Sequence, residues 1–210
     1  MYLPEHFKAL EPSLGEELIR AHPFASLIGT DDEGQPFVTH LPLELETGNG
    51  RQLLLGHVAR ANPHWRYLAV RPRALVIFQG PHAYMSPRVY ADLQRVPTWN
   101  YLVVHAQVRA TLVQEEDAKD AILKKLIDHH DPAYAAQWRG LPEDYRRRML
   151  SAIVAFELEV LELQCKFKLN QHRPEAHAAM LAGYRAGSAQ ERELAQWMER
   201  LGMAGQAGDV

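Results

Sequence analysis

Cysteine is almost missing: the chain of 210 residues has one, Cys165. With no second thiol, an intrachain disulfide is impossible and a thiolate metal cluster is out of reach. Long apolar runs are missing too. No stretch of about 18 consecutive apolar residues occurs, so the sequence predicts no membrane-spanning helix. The opening MYLPEHFKALEPSLGEEL has neither the apolar core of a signal peptide nor the Arg-rich pattern of a transit peptide, which makes the cytoplasm the expected location. Nor is there an excess of basic charge: 23 Lys and Arg against 26 Asp and Glu leave a net charge of −3. Proteins that neutralise nucleic-acid phosphates usually show a basic balance, so DNA binding starts with weak support. GxSxG, Walker, GxGxxG and HExxH patterns are all absent, which leaves hydrolase, P-loop, Rossmann and HExxH-metal readings unsupported.

What is present fits one large globular domain, with 47% hydrophobic and 23% charged residues. Ser13 and Glu16 have capping-box spacing ahead of an apolar stripe, predicting a helix over about 14–22. Strands are expected at Phe24 to Thr30, at Phe37 to Leu45 with a bulge or edge at Pro42, and at Leu53 to Val58. The turns between them, Asp31 to Gly34 and Thr47 to Gly50, are too short for crossover helices, so this meander is antiparallel. A short helix follows Asn62-Pro63, and Ala74 to Gln79 reads as a buried strand broken by Gly80-Pro81. Tyr101 to Val113 and Ile153 to Leu163 alternate as strands. Helices are predicted over Glu115 to His130 and Pro142 to Leu150. The tail from about 174 to 203 reads as helical, broken near Gly187-Ser188, with a frayed end GMAGQAGDV. Six or seven strands with helices outside point to a closed or nearly closed antiparallel barrel, mainly β with peripheral helices, of the α+β class.

Several stretches carry chemistry. In GHVARANPHW (56–65) a strand ends, Arg60 follows and a helix begins. Helix N-terminal amides plus a guanidinium make a phosphate cradle; alternatively this is a strand–helix corner with Arg60 solvated. Trp99-Asn100-Tyr101 offers an apolar face and edge hydrogen bonds to a planar ligand, or a core tryptophan at a turn. His82 and Tyr84 have the chemistry of an acid, a base or a ligand contact, or belong to a rigid loop. Phe167 to Arg173 is rich in donors and either closes over an anion or is an exposed connector. His129 and His130 point about 100 degrees apart on a helix, so they do not readily share a metal, and no metal site is expected. Arg146-Arg147-Arg148 reads as a solvated helix face.

MYLPEHF, THLPL (39–43), GHVARANPHW (56–65), FQGPHAYMSPRVY (78–90), VPTWNY (96–101) and FKLNQHR (167–173) together resemble the PaiB-type FMN-binding negative transcriptional regulators. GPHAY followed by VPTWNY is the specific part. The likeness runs from Met1 to about Arg173 and more loosely through the tail. It departs at Asn170, in a stretch where family members often read KLSQN. The resemblance implies an antiparallel split β-barrel of the FMN-binding, pyridoxamine-phosphate oxidase-like type with a helical C-terminal tail. One domain over 1–210 is expected, with a barrel core over about 1–170 and a helical extension over about 171–205. It implies a homodimer with FMN between subunits. Cofactor contacts are expected at Thr39, His40, Leu41, His57, Arg60, Ala61, Asn62, Trp99, Asn100, Lys168 and Gln171, with no catalytic residue defined. Direct DNA contact is the weaker branch of the regulatory reading, and a flavin-dependent oxidoreductase with an unspecified small substrate is the alternative.

Overall fold

Local turn chemistry builds the first half of the chain. The computed structural model describes residues 1–9, 11–92 and 94–204. Strands β1 (Phe24–Thr30) and β2 (Pro36–Pro42) are joined at Asp31, whose carboxylate accepts the N–H groups of Glu33 at 2.9 Å and Gln35 at 2.8 Å. Strands β3 (Glu44–Gly48) and β4 (Arg51–Ala59) turn at Asn49-Gly50, with φ of 51° and 73°. Two successive left-handed residues are what a type I′ hairpin requires, and Asn-Gly adopts them at least cost. The expected single strand over 37–45 is two strands. The break falls at Leu43, directly after Pro42, although the Leu43 N–H still reaches Pro23 O at 3.0 Å in continuation of the β1–β2 register.

Helix α1 (Pro12–Ala21) begins earlier than predicted, with proline in its first turn. Ser13 therefore sits inside the helix and is not its cap. Strand β5 (Arg73–Met85) runs straight through Gly80-Pro81, where the sequence predicts a break. Gly80 and Pro81 are both buried, and a Cβ on Gly80 would lie 2.6 Å from Leu18 Cδ1 and 3.3 Å from Leu102 Cβ. The glycine is there for close packing, not for a turn. Strands β6 (Thr98–Val113) and β7 (Ile153–Lys168) complete a sheet of seven, in the order β2-β1-β5-β6-β7-β4-β3.

Two compact units partition the chain. One comprises Ile19–Phe78 and His105–Leu163 and contains part of every strand. Its sheet order starts at β2 and ends at β3, which the single residue Leu43 connects in sequence. An antiparallel sheet whose outer strands are so tethered has to roll up without closing its hydrogen-bond ladder, which is the split barrel. Leu27, Leu41, Leu43, Leu54, Val76, Phe156 and Leu158 are buried in this unit. Helices α2 (His64–Val70), α3 (Glu116–His130), α4 (Tyr134–Gly140) and α5 (Glu143–Ser151) belong to it. Ile122 and Leu126 of α3 pack on Leu55 and Ala155. The sequence reading missed α4, seven residues too short for a period to show. It is held by buried Trp138, whose indole N–H donates to Asp120 at 2.8 Å.

The other unit contains Met1–Leu18, Gln79–Val104 and the chain from Gln164 onward. Its helices α6 (His177–Arg185) and α7 (Ala189–Arg200) are the predicted tail. Ser188 caps α7 in a reciprocal box: its hydroxyl accepts the Glu191 N–H at 3.3 Å and Glu191 accepts the Ser188 N–H at 2.7 Å. Ser188→Ala should therefore destabilise the fold by about 1 kcal/mol, read as a lower denaturation midpoint. The frayed end expected after about residue 204 lies outside the described residues.

Candidate functional site

The corner after β4 is the first of two sites where predicted residues meet. Arg60, Ala61 and Asn62 turn the chain, with the Asn62 N–H closing on Ala59 at 2.9 Å. Arg60 is exposed but not loose: its Nε–H donates to Ser151 O at 2.6 Å and its Nη2–H to Ile153 O at 3.1 Å. A guanidinium carries five N–H donors, so three remain. The amides are more fully used than the cradle reading supposed. Arg60 N–H reaches Ala152 O at 2.8 Å, Arg66 N–H reaches Pro63 O at 2.8 Å, and His64 N–H is taken by Asn62 Oδ1 at 3.0 Å. With seven residues, α2 is also too short to present a dipole of consequence. Any anion here meets side chains more than free backbone.

Asn62 joins the corner to β2. Its Nδ2–H donates to Thr39 Oγ1 at 3.1 Å, and His64 Nδ1 lies 2.8 Å from the same hydroxyl. His64 has no exposed surface, and burial pushes its pKa down to about 4, so the ring is neutral at pH 7. It was not among the predicted contacts, although it stands inside the NPHW signature that held the others. Leu41, two residues along β2 from Thr39, is buried beside Gly56. Strand alternation separates two predicted contacts from this group. His40 projects from the other face of β2, exposed, with Nδ1 3.0 Å from Ser26 Oγ and its ring stacked near Phe24. His57 shares the face of Leu55, opposite Gly56. Its Nδ1 is buried without a partner, and burial lowers its pKa.

The second cluster lies in the other unit. Trp99 is 52% exposed, with His82 at 5.6 Å and Tyr84 at 6.4 Å between ring centroids. Lys168 donates to Thr98 Oγ1 and, at 2.5 Å, to Trp99 O. Burial and the neighbouring Lys166 lower its pKa. Asn100 is fully buried and turned toward the tail, donating to Tyr184 OH at 2.9 Å, while its Oδ1 has no partner. Gln171 folds onto its own loop, accepting the Leu169 N–H at 2.9 Å and donating to Phe167 O. Asn170 sits at φ 65°, in the left-handed region where Asn is tolerated far better than most residues. Its Nδ2–H donates to Tyr90 OH at 2.8 Å. The departure at Asn170 is thus a backbone requirement met by a suitable residue. Among the described residues no group of three His, Cys, Asp or Glu could hold a metal ion, and no helix is long and apolar enough to cross a membrane.

Residues 1–162 match the family described as "Putative FMN-binding domain", and the chain belongs to this FMN-binding family, with FMN as its cofactor. More particularly, it is a PaiB-like member. It is 33% identical over 178 residues to "Protease synthase and sporulation protein PAI 2" of Bacillus subtilis, over 83% of this chain and 84% of that one. An uncharacterized protein of Saccharomyces cerevisiae is 27% identical over 148 residues, 60% of this chain and 86% of its own. Among solved structures, a FAD and heme binding protein from Mycobacterium smegmatis aligns with a TM-score of 0.59 at 19% identity, over 77% of this chain and 73% of that one. A flavocytochrome from Azotobacter vinelandii gives a TM-score of 0.59 at 19% identity, over 77% and 69% of the two chains. At such identities these likenesses speak for the fold.

Proposed function

We propose that the chain is a cytoplasmic, homodimeric FMN-binding regulatory protein. In this reading it forms one domain, with a barrel core to about residue 170 and a helical extension over about 171–205. One observation carries the site: an exposed guanidinium, braced by two backbone carbonyls and keeping three donors, stands two residues before an Asn62–Thr39 hydrogen bond. A phosphate dianion needs a cation of fixed direction and short polar donors beside it, and this donor set fits. Arg60, Ala61 and Asn62 are proposed around the phosphate, with Thr39 and Leu41 along the cofactor. The orientations of His40 and His57 support them less. Trp99 and Lys168 are the proposed contributions of the second cluster in the assembled dimer. The exposed aromatic surface of Trp99 and Tyr84 supports cover by a second copy. Bound flavin supplies redox chemistry, and the protein binds and orients it.

Flavin fluorescence titration tests this reading. FMN should bind more tightly than riboflavin, which lacks the phosphate. Arg60→Gln should weaken FMN by about tenfold to a hundredfold, as losing a charged hydrogen bond does, and leave riboflavin nearly unchanged. Equal affinity of the wild-type chain for both ligands would sink the phosphate assignment. Salt-dependent binding to its own promoter region would support the regulatory branch. The second reading, an oxidoreductase, draws on His82 and Tyr84 beside an exposed indole, and is favoured if NADH or NADPH bleaches the bound flavin.

A further inference from the structure

We propose that the Thr39 hydroxyl is a fixed hydrogen-bond donor to the flavin phosphate, and that buried His64 sets it in that role by holding a single tautomer. The inference rests on the FMN reading above and adds a positioning residue to it.

His64 N–H donates to Asn62 Oδ1 at 3.0 Å. A backbone N–H only donates, so this bond fixes which end of the Asn62 amide is oxygen. The NH2 end must then face Thr39, 3.1 Å away, and Thr39 Oγ1 accepts its first hydrogen bond. The second neighbour of Oγ1 is His64 Nδ1 at 2.8 Å, and the direction of that bond depends on where the neutral ring keeps its proton.

Gly29 decides it. His64 Nε2 is buried with no polar partner, and a Cβ on Gly29 would lie only 2.6 Å from it. One Cα–H bond of Gly29 occupies that direction. A proton on Nε2 would point at this hydrogen and leave a buried donor unmet, whereas a bare lone pair on Nε2 receives a weak C–H contact. The ring proton therefore sits on Nδ1 and donates to Thr39. A hydroxyl has two acceptor sites and one donor. Both acceptor sites of Thr39 are filled from inside the protein, by Asn62 and His64. Its own O–H has to find an acceptor elsewhere. The hydroxyl stands against Asn62, two residues from the cationic Arg60, so an anionic oxygen is the acceptor that this surrounding favours.

Long-range proton–nitrogen correlation spectra of the full-length, 15N-labelled chain, with the His64 signal identified through His64→Asn, should show the Nδ1–H tautomer at pH 7. An Nε2–H tautomer overturns the inference even where FMN binds. In fluorescence titrations, Thr39→Val should lower the preference for FMN over riboflavin by about tenfold, the value of one hydrogen bond to a charged group. Thr39→Ser should keep that preference. His64→Asn, which retains a donor near the place of Nδ1, should preserve it better than His64→Leu does. Equal weakening of both ligands by Thr39→Val, or no weakening of FMN, overturns the proposal. If the wild-type chain binds no FMN at all, the flavin reading itself fails, and the tautomer spectrum alone then reports on the histidine.

Discussion

Phe156→Ala is expected to cost about 3–5 kcal/mol of folding stability, the range for emptying a well-packed aromatic site. Phe156 is fully buried on β7 and lies opposite Gly56 of β4. A Cβ on Gly56 would come within 3.4 Å of the Phe156 ring, 3.5 Å of Leu41 Cδ1 and 2.5 Å of Leu43 Cδ2. The ring and the two leucines thus converge above a residue with no side chain, where the β2–β3 junction presses on β4. Removing the ring leaves a hole that a glycine cannot fill from below. The same variant should bind FMN more weakly, because Leu41 and Thr39 share one face of β2. Gly56→Ala should cost less, about 1–3 kcal/mol, since the first atom displaced is the mobile end of Leu43. Urea denaturation at constant m-value measures both, and a loss below about 1 kcal/mol for Phe156→Ala would contradict this packing account.

Lowering the pH from about 6.5 to 4 should destabilise the protein, and His64 should account for a large share. Its folded-state pKa of about 4 lies below the ordinary value of 6.5. Above pH 6.5 the ring is neutral in both states and no penalty exists. Between 6.5 and 4 the unfolded chain takes up a proton that the folded chain refuses, so stability falls as pH falls. Below 4 both states are charged and the loss levels off. The full effect approaches about 3 kcal/mol for one such group. Burial also lowers His57 and His105, so their contributions run in the same direction. The informative comparison is wild type against His64→Asn in denaturant melts from pH 7 to 4.5. The variant should start less stable and decline less steeply. Parallel declines would show that His64 is not the group that resists protonation.

The fold was legible where a residue type has one cheap local solution. Phe24 to Thr30 is β1 at its predicted bounds, and Asn49-Gly50 turns where the sequence says it must. Legibility failed where distant packing overrode a local signal. Gly80-Pro81 reads as a break but is pressed flat by Leu18 and Leu102. At Leu43, by contrast, the break falls beside Pro42, where a bulge or an edge is expected from the sequence. The site divides in the same way. Motifs pointed to Arg60, Asn62 and Thr39; a hydrogen bond joins Asn62 to Thr39, while Arg60, two residues earlier, is braced by Ser151 O and Ile153 O. No motif shows that Asn100 turns inward to Tyr184, that Gln171 staples its own loop, or that His40 and His57 leave through other faces. The Asn100–Tyr184 bond depends on chain 84 residues away, the two histidines on strand parity, and Gln171 on the conformation of its own loop.

The pairing of β4 with β7 has a consequence during biosynthesis. Leu53 to Ala59 pair with Glu159 to Ile153 and with nothing nearer on that side. Ribosomes deliver that partner roughly a hundred residues after β4, on the order of ten seconds later at about 5–20 residues per second. A β3–β4 hairpin formed in that interval would carry one bare edge and the apolar run Leu53-Leu54-Leu55. Such an edge is a template for a neighbouring nascent copy. Slower elongation between codons 60 and 153 should therefore lower the soluble yield, whereas slowing after codon 168 should leave it unchanged.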